Sequence, residues 1–270
     1  MSSGVEIHNT AIVSPGAELG DGVSVGPYSV IGPNVKIGAR TKVGPHVVIE
    51  GHTTLGEEND IFQFASVGSA PQDLKFRNEP STLIIGKRNK IREFVTLQPG
   101  TATGTMTTTI GDENLFMANC HVGHDCRVGN YNVFANSTAL AGHVEIGNRA
   151  ILGGLVGVHQ HCRIGDFAIL GGGSMVNGDV PPYCIGQGDR AKLRGINRVA
   201  LERAGFTQAQ VREIKLAYRH MFASLGHLEQ KLANIPSEWS SLPHLSLFLD
   251  FIRSSIRGVC SPARLLSNNE

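Results

Sequence analysis

Five histidines crowd into a short stretch of this chain, and they are His121, His124, His143, His159 and His161. None of them falls in the inward phase of the apolar repeat around it, so we expect them at corners or on outer faces rather than in a core. Two chemistries could use such a group. Several imidazoles suit zinc or iron, and one neutral imidazole can act as general base toward a hydroxyl while a backbone N–H binds an oxyanion.

The histidines must be positioned by a repeat of six residues. An aliphatic or phenylalanine side chain recurs at every sixth position from Ile7 to Val67, from Ile85 to Leu97 and, in a new phase, from Ile110 to Val176. Small side chains, including Cys120, Cys126 and Cys162, lie four positions after it, and both sets should point inward. A period of six does not fit an amphipathic helix and favours short strands stacked as a parallel β-helix.

This repeat resembles the hexapeptide-repeat family, whose members form a left-handed parallel β-helix with about 18 residues per coil. On that period His124, Gly142 and Gln160 form one column, and Asp125, His143 and His161 form the next. Gly142 can then present its N–H beside the imidazole of His124, which favours acyl transfer over metal binding. Asp125 could fix the tautomer of that imidazole, although it belongs to the neighbouring column.

Breaks in the repeat divide the chain. Residues 68–84 and 98–109 are expected to form external loops, and residues 1–189 are predicted to form the left-handed parallel β-helix. The glycine pattern stops after Pro181-Pro182, and the capping-box pattern that starts at Thr207 precedes apolar residues at helical spacing. Residues 190–270 are therefore predicted to form a small C-terminal α-helical domain.

The composition excludes several classes of partner. With 24 basic and 23 acidic residues the net charge is +1, which does not favour binding to nucleic acid. No apolar stretch is long enough for a membrane span, and the first residues lack a signal-peptide pattern, so we expect a soluble, unexported protein. Five cysteines without CxxC spacing suit a reducing compartment, which favours a cytoplasmic location.

Longer motifs are more specific than the repeat, namely Gln72-Asp73-Leu74-Lys75, Ala118–Cys126, Asn136, Leu140–His143, Gly157–Gln160 and Asp179–Tyr183. By these motifs the chain resembles the UDP-N-acetylglucosamine O-acyltransferases of lipid A biosynthesis. The resemblance implies a homotrimer with active sites between neighbouring prisms. It also implies transfer of a 3-hydroxyacyl group from acyl carrier protein to the glucosamine 3-hydroxyl of UDP-N-acetylglucosamine, without a metal or organic cofactor.

The resemblance also assigns roles to residues. His124 is the general base, and the N–H of Gly142 holds the oxyanion. Asp73 binds the sugar near the reacting group, Lys75 reaches the nucleotide-sugar phosphate, and Arg203 is a second phosphate ligand. The other substrate-contacting positions are Gln72, His121, His143, His159 and Gln160, while Asn136 lies along the pantetheine and acyl path. Gly172 matches the position that limits acyl length, and its lack of a side chain predicts a longer acyl group.

Some residues depart from the family pattern, and other functions stay open. Gln98-Pro99 replaces a His-Arg pair of many relatives, and Val199, Glu202 and Ala204 replace more polar or basic tail residues near the expected nucleotide site. The alternatives are N-acylation of a 3-amino UDP-sugar, a trimeric zinc hydratase-like protein and a non-catalytic scaffold. The sister N-acyltransferase of the same pathway is disfavoured, because the repeat begins at Ile7 and leaves no room for an N-terminal uridine-binding domain. Basic residues between Lys192 and Arg219 suit either a carrier-protein surface or an ordinary solvated helix face.

Overall fold

The structure is a computed structural model that describes residues 4–223 and 226–263. Residues 1–3, 224–225 and 264–270 of the two predicted domains lie outside the described residues. The first fourteen strands are β1 (Glu6–Ile7), β2 (Ile12–Val13), β3 (Glu18–Leu19), β4 (Ser24–Val25), β5 (Val30–Ile31), β6 (Lys36–Ile37), β7 (Lys42–Val43), β8 (Val48–Ile49), β9 (His52–Leu55), β10 (Asp60–Ile61), β11 (Ser66–Val67), β12 (Thr82–Ile85), β13 (Lys90–Ile91) and β14 (Thr96–Leu97). The next fourteen are β15 (Thr107–Ile110), β16 (Leu115–Phe116), β17 (His121–Val122), β18 (Arg127–Val128), β19 (Val133–Phe134), β20 (Ala139–Leu140), β21 (Glu145–Ile146), β22 (Ile151–Leu152), β23 (Gly157–Val158), β24 (Arg163–Ile164), β25 (Ile169–Leu170), β26 (Met175–Val176), β27 (Cys184–Gln187) and β28 (Lys192–Ile196).

The strands form three sheets, and from β1 to β26 each sheet takes every third strand in chain order and is parallel. The sheets have 11, 9 and 8 strands, and each coil contributes one strand to each sheet. Pairing runs from one coil to the next, as between Glu6 and Ser24 in the first two coils. This is the left-handed parallel β-helix that the resemblance implied, so that prediction is confirmed. The pair β27–β28 is antiparallel and closes the edge of the largest sheet.

The inward positions of the repeat form a continuous core. From Val25 onward each repeat aliphatic residue is buried, and so are the small residues four positions later, such as Ala65 and Val95. Phe116 and Phe134 stack inside the prism with ring centroids 4.6 Å apart. Fully burying a valine, leucine, isoleucine or phenylalanine side chain stabilises a fold by about 1.5–3 kcal/mol. The many buried aliphatic residues of the repeat therefore stabilise the prism although few of them are aromatic. Near the open first end Ile7 is 48% exposed.

A ladder of buried asparagine amides connects the coils that carry the loops. Nδ2 of Asn89 donates to Oδ1 of Asn59 at 3.0 Å, and Nδ2 of Asn114 donates to Oδ1 of Asn89 at 3.0 Å. The backbone N–H of Asn132 then donates to Oδ1 of Asn114 at 2.9 Å. The sequence separations are 30, 25 and 18 residues, so the ladder continues across coils of different length.

Two loops leave the prism next to the histidine-rich coils. The first covers residues 68–81, between β11 and β12, and the second covers residues 98–106, between β14 and β15. Both are shorter than the sequence predicts, because residues 82–85 and 107–110 form four-residue strands. The longer strands pair with each other, and β12 also pairs with β9, so each loop is anchored on a regular sheet.

The described C-terminal part consists of helices, the longest of which packs against β28. They are α1 (Arg198–Arg203), α2 (Gln208–Phe222), α3 (Leu228–Ala233), a 3₁₀ helix (Ser237–Ser241) and α4 (Pro243–Arg253). The capping box at Thr207 is present, with Gln210 as its second member. The segment predicted as helical begins with the strand β28, because residues 192–196 pair with β27 before the first helix. Among the described residues, no helix combines the length and apolarity that a membrane crossing requires.

Candidate active site

One corner of the prism collects the predicted columns of histidines. Asp125, His143 and His161 have φ of 59°, 62° and 62°, the left-handed conformation that turns the chain at a corner. The N–H of His143 donates to the carbonyl of His124 at 2.9 Å, and the N–H of His161 donates to the carbonyl of Gly142 at 3.3 Å. Successive coils therefore stack these residues as the sequence predicts, and the side chains project outward.

The imidazole of His124 is oriented by the carboxylate of the next residue. Nδ1 of His124 lies 2.8 Å from Oδ2 of Asp125, and the two side chains are 18% and 0% exposed. A carboxylate accepts only, so the neutral imidazole carries its proton on Nδ1, and the lone pair of Nε2 accepts no hydrogen bond from the described residues. This tautomer is the one that a general base requires. Sequence reasoning underestimated Asp125 because it assigned that residue to the neighbouring column.

The second loop forms a cap of hydrogen-bond donors over Asp125. Oδ2 accepts from Oγ1 of Thr101 at 2.7 Å, while Oδ1 accepts from the N–H of Thr101 at 3.1 Å and the N–H of Thr105 at 2.7 Å. A Cβ on Gly104 would lie 2.3 Å from Cγ of Asp125, so the cap requires glycine there. Burial raises the pKa of Asp125, but the hydrogen bonds from His124, Thr101 and Thr105 outweigh it and hold that pKa below its usual value. The carboxylate is therefore ionised at neutral pH.

Gly142 lies directly against the base. A Cβ at this position would come within 2.6 Å of Nε2 of His124 and 2.5 Å of Cε1, so only glycine leaves room for the ring. No group in the described part of the chain accepts a hydrogen bond from the Gly142 N–H. A free backbone donor next to a free imidazole nitrogen is an arrangement that can bind an oxyanion beside a base.

His143 links the base to the first loop. Its ring meets that of His124 edge-on with centroids 5.0 Å apart, and stacks on His161 at 4.4 Å. Burial lowers the pKa of His143, and the repulsion of His161 and His124 adds to it, while the carboxylates of Asp125 and Asp73 oppose the shift. Asp73 is therefore within electrostatic reach of the histidine column, although it lies on a loop in another coil. Near neutral pH His143 is mostly uncharged.

The first loop carries the predicted sugar- and phosphate-binding residues. Oδ1 of Asp73 accepts the N–H of Lys75 at 3.0 Å, and the Lys75 side chain extends from an exposed turn. The N–H of Gln72 donates to Oε1 of Gln98 at 3.3 Å. Gln98, which departs from the family pattern, is only 5% exposed, and its side chain anchors the first loop through this hydrogen bond.

His121 is the first residue of β17, and His159 directly follows β23 of the same sheet. Both therefore lie on the flat face next to the corner. Nδ1 of His121 lies 2.7 Å from Oγ1 of Thr96, and burial together with nearby His124 lowers the pKa of His121. The two histidines line a cavity of about 560 Å³ that extends to Met175 and Arg190.

Arg257 was missed by sequence reasoning. Its Nη2 lies 2.9 Å from Nδ1 of His159, 98 residues away in sequence, and its Nε donates to the carbonyl of Asn177 at 3.0 Å. It also lines a second cavity of about 430 Å³ with His143 and His161. Its position next to other basic residues of the tail gave no sequence signal that would have separated it from a solvated surface residue.

The remaining predicted residues are Gln160, Asn136, Gly172 and Arg203. Gln160 and Asn136 are exposed on the outside of the prism. A Cβ at Gly172 would approach the carbonyl oxygen of Gly154 at 3.3 Å and no other group closer than 3.9 Å, so the site has room at that position. Arg203 is the last residue of α1, and no hydrogen bond or ion pair of the described residues joins it to His124.

The same corner has the composition of a possible metal site. One ligand atom each from His124, Asp125 and His143 lie within 4.8 Å of one another. The carboxylate, however, already accepts from Thr101 and Thr105 as well as from His124, and Nδ1 of His124 is directed at it. Binding a metal through these atoms would displace hydrogen bonds that the site already makes, so base chemistry fits the donors better.

Comparisons with known proteins agree across most of the chain. A family model described as Udp N-acetylglucosamine O-acyltransferase, Domain 2, matches residues 179–260, and one described as bacterial transferase hexapeptide (six repeats) matches residues 16–51. The curated acyl-[acyl-carrier-protein]–UDP-N-acetylglucosamine O-acyltransferase of Myxococcus xanthus is 51% identical over 203 residues, covering 75% of this chain and 79% of that protein. The enzyme of the same name from Neisseria gonorrhoeae is 50% identical over the same length and shares of both chains.

Solved structures extend the match to the whole fold. The LpxA structure of Acinetobacter baumannii superposes with a TM-score of 0.91 at 43% identity, covering 94% of this chain and 99% of that one. The UDP-N-acetylglucosamine acyltransferase of Francisella novicida gives a TM-score of 0.93 at 36% identity, covering 96% of this chain and 95% of the other.

Proposed function

Because the chain belongs to the UDP-N-acetylglucosamine O-acyltransferase family, we propose that the corner at His124 is its active site. The chain is an acyltransferase of the first step of lipid A biosynthesis and acts on acyl carrier protein thioesters and UDP-N-acetylglucosamine. The observation that carries the assignment to this corner is the ionised, capped carboxylate of Asp125, which holds His124 with Nε2 free beside the N–H of Gly142.

The proposed reaction moves a 3-hydroxyacyl group to the glucosamine 3-hydroxyl. Nε2 of His124 takes the hydroxyl proton as the alkoxide oxygen attacks the thioester carbonyl, and the N–H of Gly142 donates to the resulting oxyanion. When the C–S bond breaks, the imidazolium returns its proton to the departing thiolate of the carrier's pantetheine. Asp125 stabilises the imidazolium and keeps its orientation, as a buried carboxylate does for other histidine bases. The thioester already carries the activation energy, so no cofactor enters any step.

The substrate-binding roles follow from what surrounds the base. Asp73 would bind the sugar, because its charge acts on His143 of the histidine column, and the exposed Lys75 would reach a phosphate. His143 and His121 have lowered pKa values and can bind hydroxyl or carbonyl groups as neutral imidazoles. The other members of the proposed substrate surface are Gln72, His159, Gln160, Asn136 and Arg203, with Gly172 at the acyl end.

We also infer a homotrimer in the cytoplasm. A column of rings on another corner supports a partner protomer: Tyr28, His46, Phe64 and Phe94 stack 5.0–5.2 Å apart, and Tyr28 is 60% exposed. Light scattering tests the assembly, and a mass of three times the 28.8 kDa chain is expected. The five free, buried cysteines and the carrier-protein donor support the cytoplasmic location.

Replacing His124 with alanine tests the base. Removal of a general base lowers kcat by roughly 10²–10⁴-fold, and the matched control is His8→Ala, an exposed histidine of the first coil whose loss should leave kcat unchanged. The assay uses 3-hydroxyacyl carrier proteins of several chain lengths and records product masses. Unaltered transfer by His124→Ala would show that another group is the base, whereas absence of transfer by the wild-type protein would favour the scaffold interpretation.

Two alternatives are settled by the same purified protein. An amine could also lose a proton to His124, so UDP-N-acetylglucosamine and its 3-amino analogue are compared side by side, and preference for the amine would reassign the acceptor. The cluster of His124, Asp125 and His143 is a specific reason to measure zinc. Zinc at one equivalent per chain, with transfer lost on chelation and restored by added zinc, would replace base catalysis with a metal mechanism.

A further inference from the structure

The two loops beside the proposed active site are joined by the carboxylate of Glu79. Oε1 accepts the N–H of Ala102 at 2.8 Å, and Oε2 accepts the N–H of Arg77 at 2.7 Å. Each oxygen thus serves a different loop. The hydrogen bonds from Ala102 and then Arg77 lower the pKa of Glu79, so the carboxylate is ionised at neutral pH and accepts from both.

On one side Glu79 reaches the cap over the carboxylate of Asp125. Ala102 directly follows Thr101, whose N–H and Oγ1 both donate to Asp125. The N–H groups of Gly104 and Met106 both donate to the carbonyl of Thr101, so the cap is one compact turn. A displacement at Ala102 is therefore transmitted to the donors that keep Asp125 ionised and His124 oriented.

On the other side Glu79 reaches the turn that carries the sugar-binding residues. Nη1 of Arg77 donates to the carbonyls of Leu74 at 2.7 Å and Phe76 at 2.9 Å, which fold the guanidinium over the turn. The N–H of Phe76 donates to the carbonyl of Asp73 at 3.0 Å. The backbone position of Arg77 thus determines where the turn presents Asp73 and Lys75.

We propose that Glu79 is a positioning residue that couples the sugar-binding turn, residues 72–77, to the cap over Asp125, residues 100–106. The coupling rests on the proposed function of His124 as base. Through Glu79, the position of the turn that would bind the nucleotide sugar is linked to the position of the cap that orients the imidazole. The two segments leave the prism from different coils. Among the described residues, Glu79 is the carboxylate that accepts hydrogen bonds from both the turn and the cap.

Four single variants separate the coupling from its two ends. Thr101→Val removes one donor to Asp125 and keeps the shape, so we expect kcat to fall about tenfold with little change in KM for UDP-N-acetylglucosamine. Arg77→Ala releases the turn alone and should raise that KM about tenfold at nearly unchanged kcat. Glu79→Ala should do both. Glu79→Gln, which keeps the shape and one acceptor, should lie between Glu79→Ala and the wild type.

The double variant Glu79→Ala with Thr101→Val gives the decisive comparison. If Glu79 acts through the cap, the two losses in kcat overlap, and the double variant is no more than about twofold slower than the worse single variant. Melting temperatures confirm that each variant is folded. Wild-type kcat and KM for Glu79→Ala, or kcat losses that multiply in the double variant, would overturn the coupling. Failure of the proposed function is a different result, namely normal transfer by His124→Ala.

Discussion

Replacing Gly142 with alanine forces a methyl group into the imidazole of His124. The new Cβ would lie 2.5 Å from Cε1 and 2.6 Å from Nε2 of the ring, with Cδ2 at 3.1 Å. Ordinary van der Waals contact begins at 3.4 Å, so the ring must retreat by roughly 0.9 Å. The backbone cannot supply this movement, because the N–H of His143 is bonded to the carbonyl of His124 at 2.9 Å.

The retreat is expected to lower turnover rather than binding. Rotation of the ring lengthens or breaks the 2.8 Å contact between Nδ1 of His124 and Oδ2 of Asp125, and it moves Nε2 from the hydroxyl. A misplacement of about 1 Å costs on the order of 100-fold in rate. The Gly142 N–H is retained, so the loss isolates the geometry of the base from the oxyanion donor. Alanine at this position should therefore reduce kcat about 100-fold and change KM little.

The assay compares kcat, KM and melting temperature of Gly142→Ala with those of Gly32→Ala. At Gly32 the added Cβ meets Cα of Glu50 at 3.2 Å and no catalytic group, so it reports the cost of a methyl group on this backbone. We expect the control to keep wild-type kcat and the test variant to keep its melting temperature within a few degrees. If Gly142→Ala is folded and turns over at the wild-type rate, the ring of His124 does not work from this position, and the proposed arrangement is refuted.

The stability of the fold should fall as the pH drops from about 4, because Asp125 has a lowered pKa in the folded chain and an ordinary value near 3.9 when unfolded; urea unfolding at pH 7 and pH 3.5 should show a smaller difference for Asp125→Asn. Gly104→Ala places a methyl group 2.3 Å from Cγ of Asp125, so a roughly tenfold lower kcat is expected and an unchanged kcat would contradict the cap. Gly172→Met should shift product masses to shorter acyl chains, and an unchanged profile would place the end of the acyl site elsewhere. Burial raises the pKa of the Cys120, Cys162 and Cys260 thiols to about 11, so a thiol reagent at pH 8 should label them only on unfolding.

The repeat made the fold and the histidine columns predictable. A period of six fixes which residues face the core, and stacking of coils then fixes that His143 lies above Asp125 and Gly142 above His124. These are local consequences of strand geometry, and they hold regardless of the loops. The same spacing explains why a Cβ on Gly142 would clash with the ring of His124 in the adjacent coil.

The partners of the site could not be predicted in the same way. The contact between His124 and Asp125 depends on the left-handed corner at Asp125, which brings two side chains of adjacent residues together although a strand would direct them to opposite faces. The threonine cap depends on how the second loop folds back, and the contact between Arg257 and His159 spans 98 residues. Periodicity carries no information about such contacts, because loops and tail do not follow the repeat.

The asparagine ladder has a consequence for how this architecture can change over time. Its hydrogen bonds have nearly the same length across separations of 30, 25 and 18 residues. They therefore hold successive coils together whatever the length of the loop between them. The two loops beside His124 can therefore be lengthened, trimmed or exchanged while the stacked backbone stays in place. Substrate range can diverge in this scaffold without renewed selection on its interior.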